Sequence, residues 1–407
     1  MSARHRIQGA TLIEREHVVP LVHDAPDGRT LSVFTREVVG DGAEQKPYLV
    51  FLQGGPGFEA TRATSPLSGW QKRAAQDYRV LLLDQRGTGR STPVGKTPSG
   101  DTPDEQAAYL AHFRADSIVR DAELIRRELG IERWSVLGQS FGGFCAMTYL
   151  SIAPDGLREA FITGGLSPVG HGPDEIYRAT WARTLQKNAH YFDRYPDDRA
   201  RVREILSRLT HEEVRLPTGD RLTPRRFRQV GAWLGDSAGW ELIHHVIELP
   251  IHSAAFAHDI AAGSMKFERN PIYFSIHEAS YADGAATRWS ASRTMPAQIE
   301  DEGLLTAEHV FPWMPDDYAG LRDHGDAANI LAEREWPRLY DEAVLQANQV
   351  PTAATIYVND LYVERRFAEE TAATIRGLKP WITNEYEHNG LRADGEKVLG
   401  RLFEMVR

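Results

Sequence analysis

The 407-residue sequence has a single cysteine, Cys145, so no disulfide can form within the chain. That scarcity suits a reducing compartment. Long apolar runs are also lacking. No stretch approaches the ~20 consecutive apolar residues that a membrane helix needs. The N-terminus, MSARHRIQGATLIEREHVVP, has no apolar core of the signal-peptide kind. The expectation is a cytoplasmic protein without a membrane partner. Net positive charge is absent as well: the formal charge is -10, which weighs against nucleic acid as a partner. No internal repeat or low-complexity tract occurs, which excludes a repeat architecture. No H-E-x-x-H pair is found, since the His and Glu residues of IHHVIE and HEASY lack that spacing. No metal and no cofactor are expected.

What is present is an ordinary globular composition, 42% hydrophobic and 26% charged. The length exceeds one small core and points to one large domain with an insertion, or to two domains. TLSVFTREVV (Thr30 to Val39) reads as an early strand. YLVFL (Tyr48 to Leu52) and RVLLLD (Arg79 to Asp84) are continuous apolar runs that stop at Gly-rich turns, as strands buried on both faces of a parallel sheet do. DSIVRDAELIRRELG places Ile118, Ala122, Ile125 and Leu129 on one helical face, with Asp116 or Ser117 as cap and Gly130 as stop. WSVLG and AFITGG (Ala160 to Gly165) follow as strands, and the alternation predicts an α/β sheet with parallel strands. The rhythm fails after about Pro168 and returns at TAATIYVND (Thr352 to Asp360). An insertion of ~180 mainly helical residues is the expectation, a size typical of a domain. The division is therefore 1–167 with 349–407, and 168–348.

WSVLGQSFGGF contains G-x-S-x-G at Gly138, Gln139, Ser140, Phe141 and Gly142. An apolar strand precedes it and the helix-like FCAMTYLSIA follows. In that setting the glycines permit a sharp strand-to-helix turn, which presents the serine hydroxyl at a helix N-terminus where amide dipoles favour negative charge. By itself the pentapeptide fits a turn with a capping serine equally well. A nucleophilic serine needs a base and an orienting acid, and in this strand-turn-helix setting the chain order is Ser, acid, His. Of fifteen histidines only His388 lies beyond the strand ATIYVND. Asp360 sits just past that strand's end, with Glu364 and Glu387 as nearby alternatives. The two oxyanion donors are expected to be the amides of Phe141 and, from LQGGPGF (Leu52 to Phe58), Gly55.

QGGPG, DQRGTGRS (Asp84 to Ser91) and GQSFGG, in that order, resemble the prolyl aminopeptidases, also called proline iminopeptidases. These are serine peptidases of the α/β-hydrolase fold, and the length and C-terminal wording are similar to the family's larger form. Gln53 departs from the commoner HGGPG pattern. The resemblance implies an α/β-hydrolase catalytic domain, a mostly parallel sheet and a helical cap domain inserted before the last strands. It also implies release of an N-terminal proline from peptides or small aminoacyl substrates with a free amine. That amine is largely cationic at neutral pH and needs carboxylate partners. By position in IHEASY and AEHVFPWM, the family's cap glutamates correspond to Glu278 and Glu308. Phe141, Phe274 and Tyr281 are candidates for an apolar wall against the proline ring. Asp84 and Arg86 are assigned to a buried polar network and Cys145 to the core. An esterase or lactonase using the same triad, and a non-catalytic binding protein built on a hydrolase scaffold, are the competing readings.

Overall fold

The computed structural model describes residues 3–263 and 266–407. Among the described residues, nine strands form one sheet: β1 (Ala3–Ile7), β2 (Ala10–Pro20), β3 (Thr30–Gly40), β4 (Tyr48–Leu52), β5 (Arg79–Leu83), β6 (Trp134–Gln139), β7 (Leu157–Thr163), β8 (Thr352–Tyr357) and β9 (Lys379–Thr383). Their order is β1-β2-β3-β5-β4-β6-β7-β8-β9. The first three strands and β5 pair antiparallel, and everything from β5 to β9 is parallel. This is the mostly parallel α/β sheet that the sequence predicts. The antiparallel hairpin β1–β2 at the edge is an addition, because its charged, alternating residues carry no continuous apolar run.

The central strands are apolar throughout because both faces are covered. In β4, Leu49 and Phe51 join a core layer containing Trp70, Val398, Leu402 and Phe403. Val50 and Leu52 point the other way, into the layer with Ile118, Ile125, Phe144 and Ala146. Each such side chain, fully buried, stabilises the fold by roughly 1.5–3 kcal/mol. The predicted helix runs from Ala115 to Glu128 and stops before Gly130, at φ +68°. Its N-cap is Arg114 rather than Asp116 or Ser117, because the helix follows directly on a turn at Ala111–Phe113. Asp116 instead sits in the first turn, where its charge opposes the helix dipole's positive end.

Between β7 and β8 the chain is helical, with one isolated bridge, Arg215 to Arg221, among the described residues. Its longest helix, Pro173–Arg194, turns Ile176, Tyr177, Thr180, Trp181, Thr184, Asn188 and Tyr191 inward. β7 and β8 nevertheless pair directly, Phe161 opposite Ala353. The whole helical segment is thus one crossover that leaves the carboxyl end of β7 and returns at the start of β8. No described helix is long and apolar enough to cross a membrane.

Candidate active site

Ser140 stands between β6 and the helix Phe141–Ile152 with φ 56° and ψ -126°, a backbone state that side chains other than glycine rarely adopt. The neighbours explain how it persists. A Cβ on Gly138 would lie 2.2 Å from the Gly142 carbonyl oxygen, and one on Gly142 would lie 1.9 Å from that of Leu52. Any side chain at either position would force the turn open. The Ser140 amide donates to Thr163 O at 2.9 Å, so the turn stays anchored to β7. Phe141 begins the helix, and its N–H is one of the first-turn donors without an intrahelical acceptor.

His388 lies on the loop after β9, and its Nδ1 is 2.8 Å from Asp360 Oδ2. Asp360 is buried, and its other oxygen accepts the amides of Tyr362 (2.9 Å) and Val363 (3.1 Å). With Nδ1–H donating to the carboxylate, the His388 Nε2 lone pair is left free. The Tyr362 ring meets the imidazole edge-on, 4.8 Å between centroids. The nearby acids are committed elsewhere. Glu364 accepts from Arg183 at 3.1 and 2.9 Å, and Glu387 pairs with buried Lys187. Burial pushes the Lys187 ammonium down and the Glu387 carboxyl up from their ordinary values.

Ser140 and His388 line one cavity of about 400 Å³ together with Gln53, Gly54, Gly55, Phe58, Trp233, Asp236, Leu242, Tyr273, Glu308, Tyr362 and Arg392. The volume is at the small end of the ~300–1,000 Å³ range of small-molecule sites. The two catalytic candidates share the cavity without a hydrogen bond between them among the described residues. The loop Gln53–Phe58 passes close to the serine: a Cβ on Gly54 would be 3.0 Å from Ser140 Cβ. Gly55, at φ +133°, also faces the cavity.

The two glutamates part company. Glu308 faces the cavity, accepts the Tyr273 hydroxyl at 2.7 Å and lies 3.5 Å from His277 Nε2. Glu278 does not reach it. Its oxygens accept the amides of Ser290 (3.0 Å) and Ala291 (2.8 Å) at the start of the turn Ser290–Arg293, and burial raises its pKa. The Glu278 carboxylate thus serves a helix N-terminus and is not among the residues lining this cavity. The three aromatic candidates for the wall are not among the residues lining this cavity. Phe141 packs on Phe144, Phe274 stacks on Trp289, and Tyr281 packs on Phe144 and Tyr177. The apolar surface comes instead from Phe58, Trp233, Leu242, Tyr273 and Tyr362.

Comparison with known proteins bears on this constellation. A family model described as alpha/beta hydrolase fold matches residues 47–228. A proline iminopeptidase from Aeromonas sobria is 44% identical over 96% of this chain and 95% of its own length. The chain belongs to the proline iminopeptidase family. Another relative, the proline iminopeptidase aneH of Aspergillus aculeatus, is 33% identical over 95% of this chain and 92% of its own. Among solved structures, VinJ covers 96% of this chain and 98% of its own at a TM-score of 0.47 and 16% identity.

Within the family's DQRGTGRS segment the side chains form a network. Arg86 binds Asp121 with two bonds, 2.7 and 2.6 Å, and caps the carbonyls of Leu21 and His112 at 2.9 and 2.8 Å. Asp84 accepts the amides of Ala60 and Arg90, each at 3.1 Å. Cys145 is fully buried, and burial pushes its thiol up, away from the reactive thiolate. Of groups with metal-ligand chemistry, the described residues bring together His244, His245 and Glu248, none of which lines the cavity. Sequence reasoning missed Asp236, Trp233, Leu242 and Arg392. Only Arg392 carried a usable signal, four residues beyond His388. The segment Ala232–Ser237 also holds the His388 loop: His388 N donates to Gly235 O at 3.0 Å, and Asn389 bonds Asp236 (3.0 Å) and Ser237 (2.8 Å).

Proposed function

We propose that this protein is a serine exopeptidase that releases N-terminal proline from peptides through an acyl-enzyme, with Ser140 as nucleophile, His388 as general base and Asp360 as its orienting acid. The observation that carries the reading is the buried 2.8 Å Asp360–His388 pair opening into the same cavity as the strained Ser140 turn. Ser140 Oγ attacks the prolyl carbonyl carbon while His388 Nε2 takes the hydroxyl proton. The resulting oxyanion accepts hydrogen bonds from the Phe141 and Gly55 amides, each contributing about 3 kcal/mol. His388 then passes its proton to the leaving nitrogen, and the C–N bond breaks. Water attacks the acyl-enzyme with His388 as base, and proline departs. Through both half-reactions Asp360 holds the imidazole tautomer and stabilises the imidazolium.

Exopeptidase action needs a partner for the substrate's free amine. A cationic prolyl amine cannot be desolvated without an anion beside it. Glu308 supplies that anion, and Tyr273 holds its carboxylate in place. Residues 168–348 act as a cap over a catalytic domain made of 1–167 and 349–407, and the cap contributes Glu308, Trp233 and Tyr273 to the site.

Turnover of proline β-naphthylamide, with and without an N-acetyl group, tests the reading. Rapid cleavage of the free amine alone, abolished in Ser140→Ala, is expected. Hydrolysis confined to simple esters, or equal acceptance of the N-blocked compound, would overturn it.

A further inference from the structure

Arg392 lines the cavity with Ser140 and His388, yet the reaction as described gives it no task. It stands on a helical turn that begins directly after His388, with Arg392 N donating to Asn389 O at 2.8 Å and Ala393 N to the same oxygen at 2.9 Å. Its guanidinium makes no side-chain hydrogen bond among the described residues. Its one ion-pair neighbour there is Asp236, 3.5 Å away. Only the Oδ2 oxygen of that carboxylate faces the guanidinium, beyond hydrogen-bond reach for a strong pair, while its Oδ1 accepts Ala238 N at 3.1 Å and Asn389 Nδ2 at 3.0 Å. The side chain is 56% exposed, so it enters the cavity from the mouth with most of its five donors unused.

The chemistry says which part of a substrate meets this group. His388 protonates the leaving nitrogen, so the leaving group must lie against the wall that carries His388. In a dipeptide the carboxylate carbon is two bonds from that nitrogen. It therefore comes to rest beside the residues that follow His388 in the chain, where a planar guanidinium fork matches a carboxylate with two parallel bonds. In a longer peptide the same place receives a neutral amide. The cavity thus holds an anion, Glu308, for the amino end and a cation, Arg392, for the carboxyl end of a short zwitterion.

We propose that Arg392 forms a carboxylate subsite for the leaving group, so that proline dipeptides with a free C-terminal carboxylate are preferred over the same dipeptides capped as amides. This rests on the exopeptidase reading above. It assigns the substrate class within that reading.

The test compares kcat/KM for prolyl-glycine and prolyl-glycinamide, with proline β-naphthylamide as a substrate that carries no carboxylate. The wild-type enzyme favours the acid over the amide by on the order of tenfold, the scale of a charge-assisted pair in a partly exposed site. The preference resides in KM and shrinks as ionic strength rises. Arg392→Gln brings the ratio to one, and Arg392→Lys retains part of it. Asp236→Asn, which keeps the bond to Ala238 and frees the guanidinium, raises it. A wild-type ratio of one, or a ratio unchanged in Arg392→Gln, overturns the subsite. If naphthylamide is cleaved while the ratio is one, only the subsite falls. If no prolyl amide is cleaved, the exopeptidase reading falls with it.

Discussion

Asp360 Oδ2 and His388 Nδ1 lie 2.8 Å apart, and both side chains are almost fully buried. The two residues leave the sheet at different points, one after β8 and one after β9. Two neighbouring amides pin the carboxylate, at Tyr362 and Val363. Asp360→Asn keeps that shape but can offer its NH2 to Nδ1, which favours the wrong imidazole tautomer. A fall in kcat on the order of 10⁴ is expected, with thermal unfolding little changed. Steady-state kinetics beside a melting curve check it; a fall below tenfold would remove Asp360 from the mechanism.

Glu308→Gln keeps an oxygen for the Tyr273 hydroxyl and deletes the charge. The expected result is a rise in KM for free-amine substrates on the order of tenfold or more, with kcat falling less. Discrimination against N-acetyl-proline derivatives should shrink in parallel. Unchanged discrimination would place the amine elsewhere. The same change at Glu278 should act on stability instead, because its carboxylate holds the Ser290 and Ala291 amides.

Lys187 and Glu387 tie the helix Pro173–Arg194 to the residue before His388. The Glu387 side chain is 19% exposed, so removing Lys187 leaves a partly buried carboxylate unpaired. Lys187→Met should destabilise by about 3 kcal/mol, and Lys187→Met with Glu387→Gln should recover most of that loss. Urea denaturation of the two variants measures the difference. If the double variant is no more stable than the single one, the pair's electrostatics are not what matters.

His309 is buried against Trp181, 3.8 Å between ring centroids, and burial pushes its pKa down to about 3 from an ordinary 6.5. Between those values the unfolded chain binds a proton that the folded one refuses. Stability contributed by the neutral ring is complete above pH ~6.5 and is lost as pH falls, by up to about 1.4 kcal/mol per pH unit. His309→Gln should flatten the acid side of the stability curve by that slope. Denaturation midpoints at pH 5 and pH 7 for both proteins decide it; parallel curves would show that His309 is protonated in the fold.

Much of the sheet was legible because its signals are local. YLVFL alone spans β4, residue for residue, since a strand buried on both faces has no polar positions to blur its ends. The hairpin β1–β2 was not, because β1 is exposed along nearly its whole length and the charges of both strands hide the period. Glu278 and Glu308 look alike in sequence, each following a histidine or preceding one among apolar neighbours. What separates them is a pair of amides at Ser290 and Ala291, twelve and thirteen residues away from Glu278. Trp233 and Leu242 reach the cavity from a short 3₁₀ stretch and a short helix, whose facing depends on packing against other parts of the chain.

By itself the sequence determined the strained turn at Ser140, since the glycines around it answer to clashes within a few residues and across one strand pair. It also determined the order serine, acid, base, and with it the candidates Asp360 and His388. Only the tertiary structure decided which glutamate meets the cavity, which aromatic rings wall it, and that Arg392 stands at its mouth. The reason is physical. Backbone sterics and strand period act over neighbouring residues, whereas the direction a side chain takes from a short helix is set by what packs on its other faces, and those partners come from distant parts of the chain.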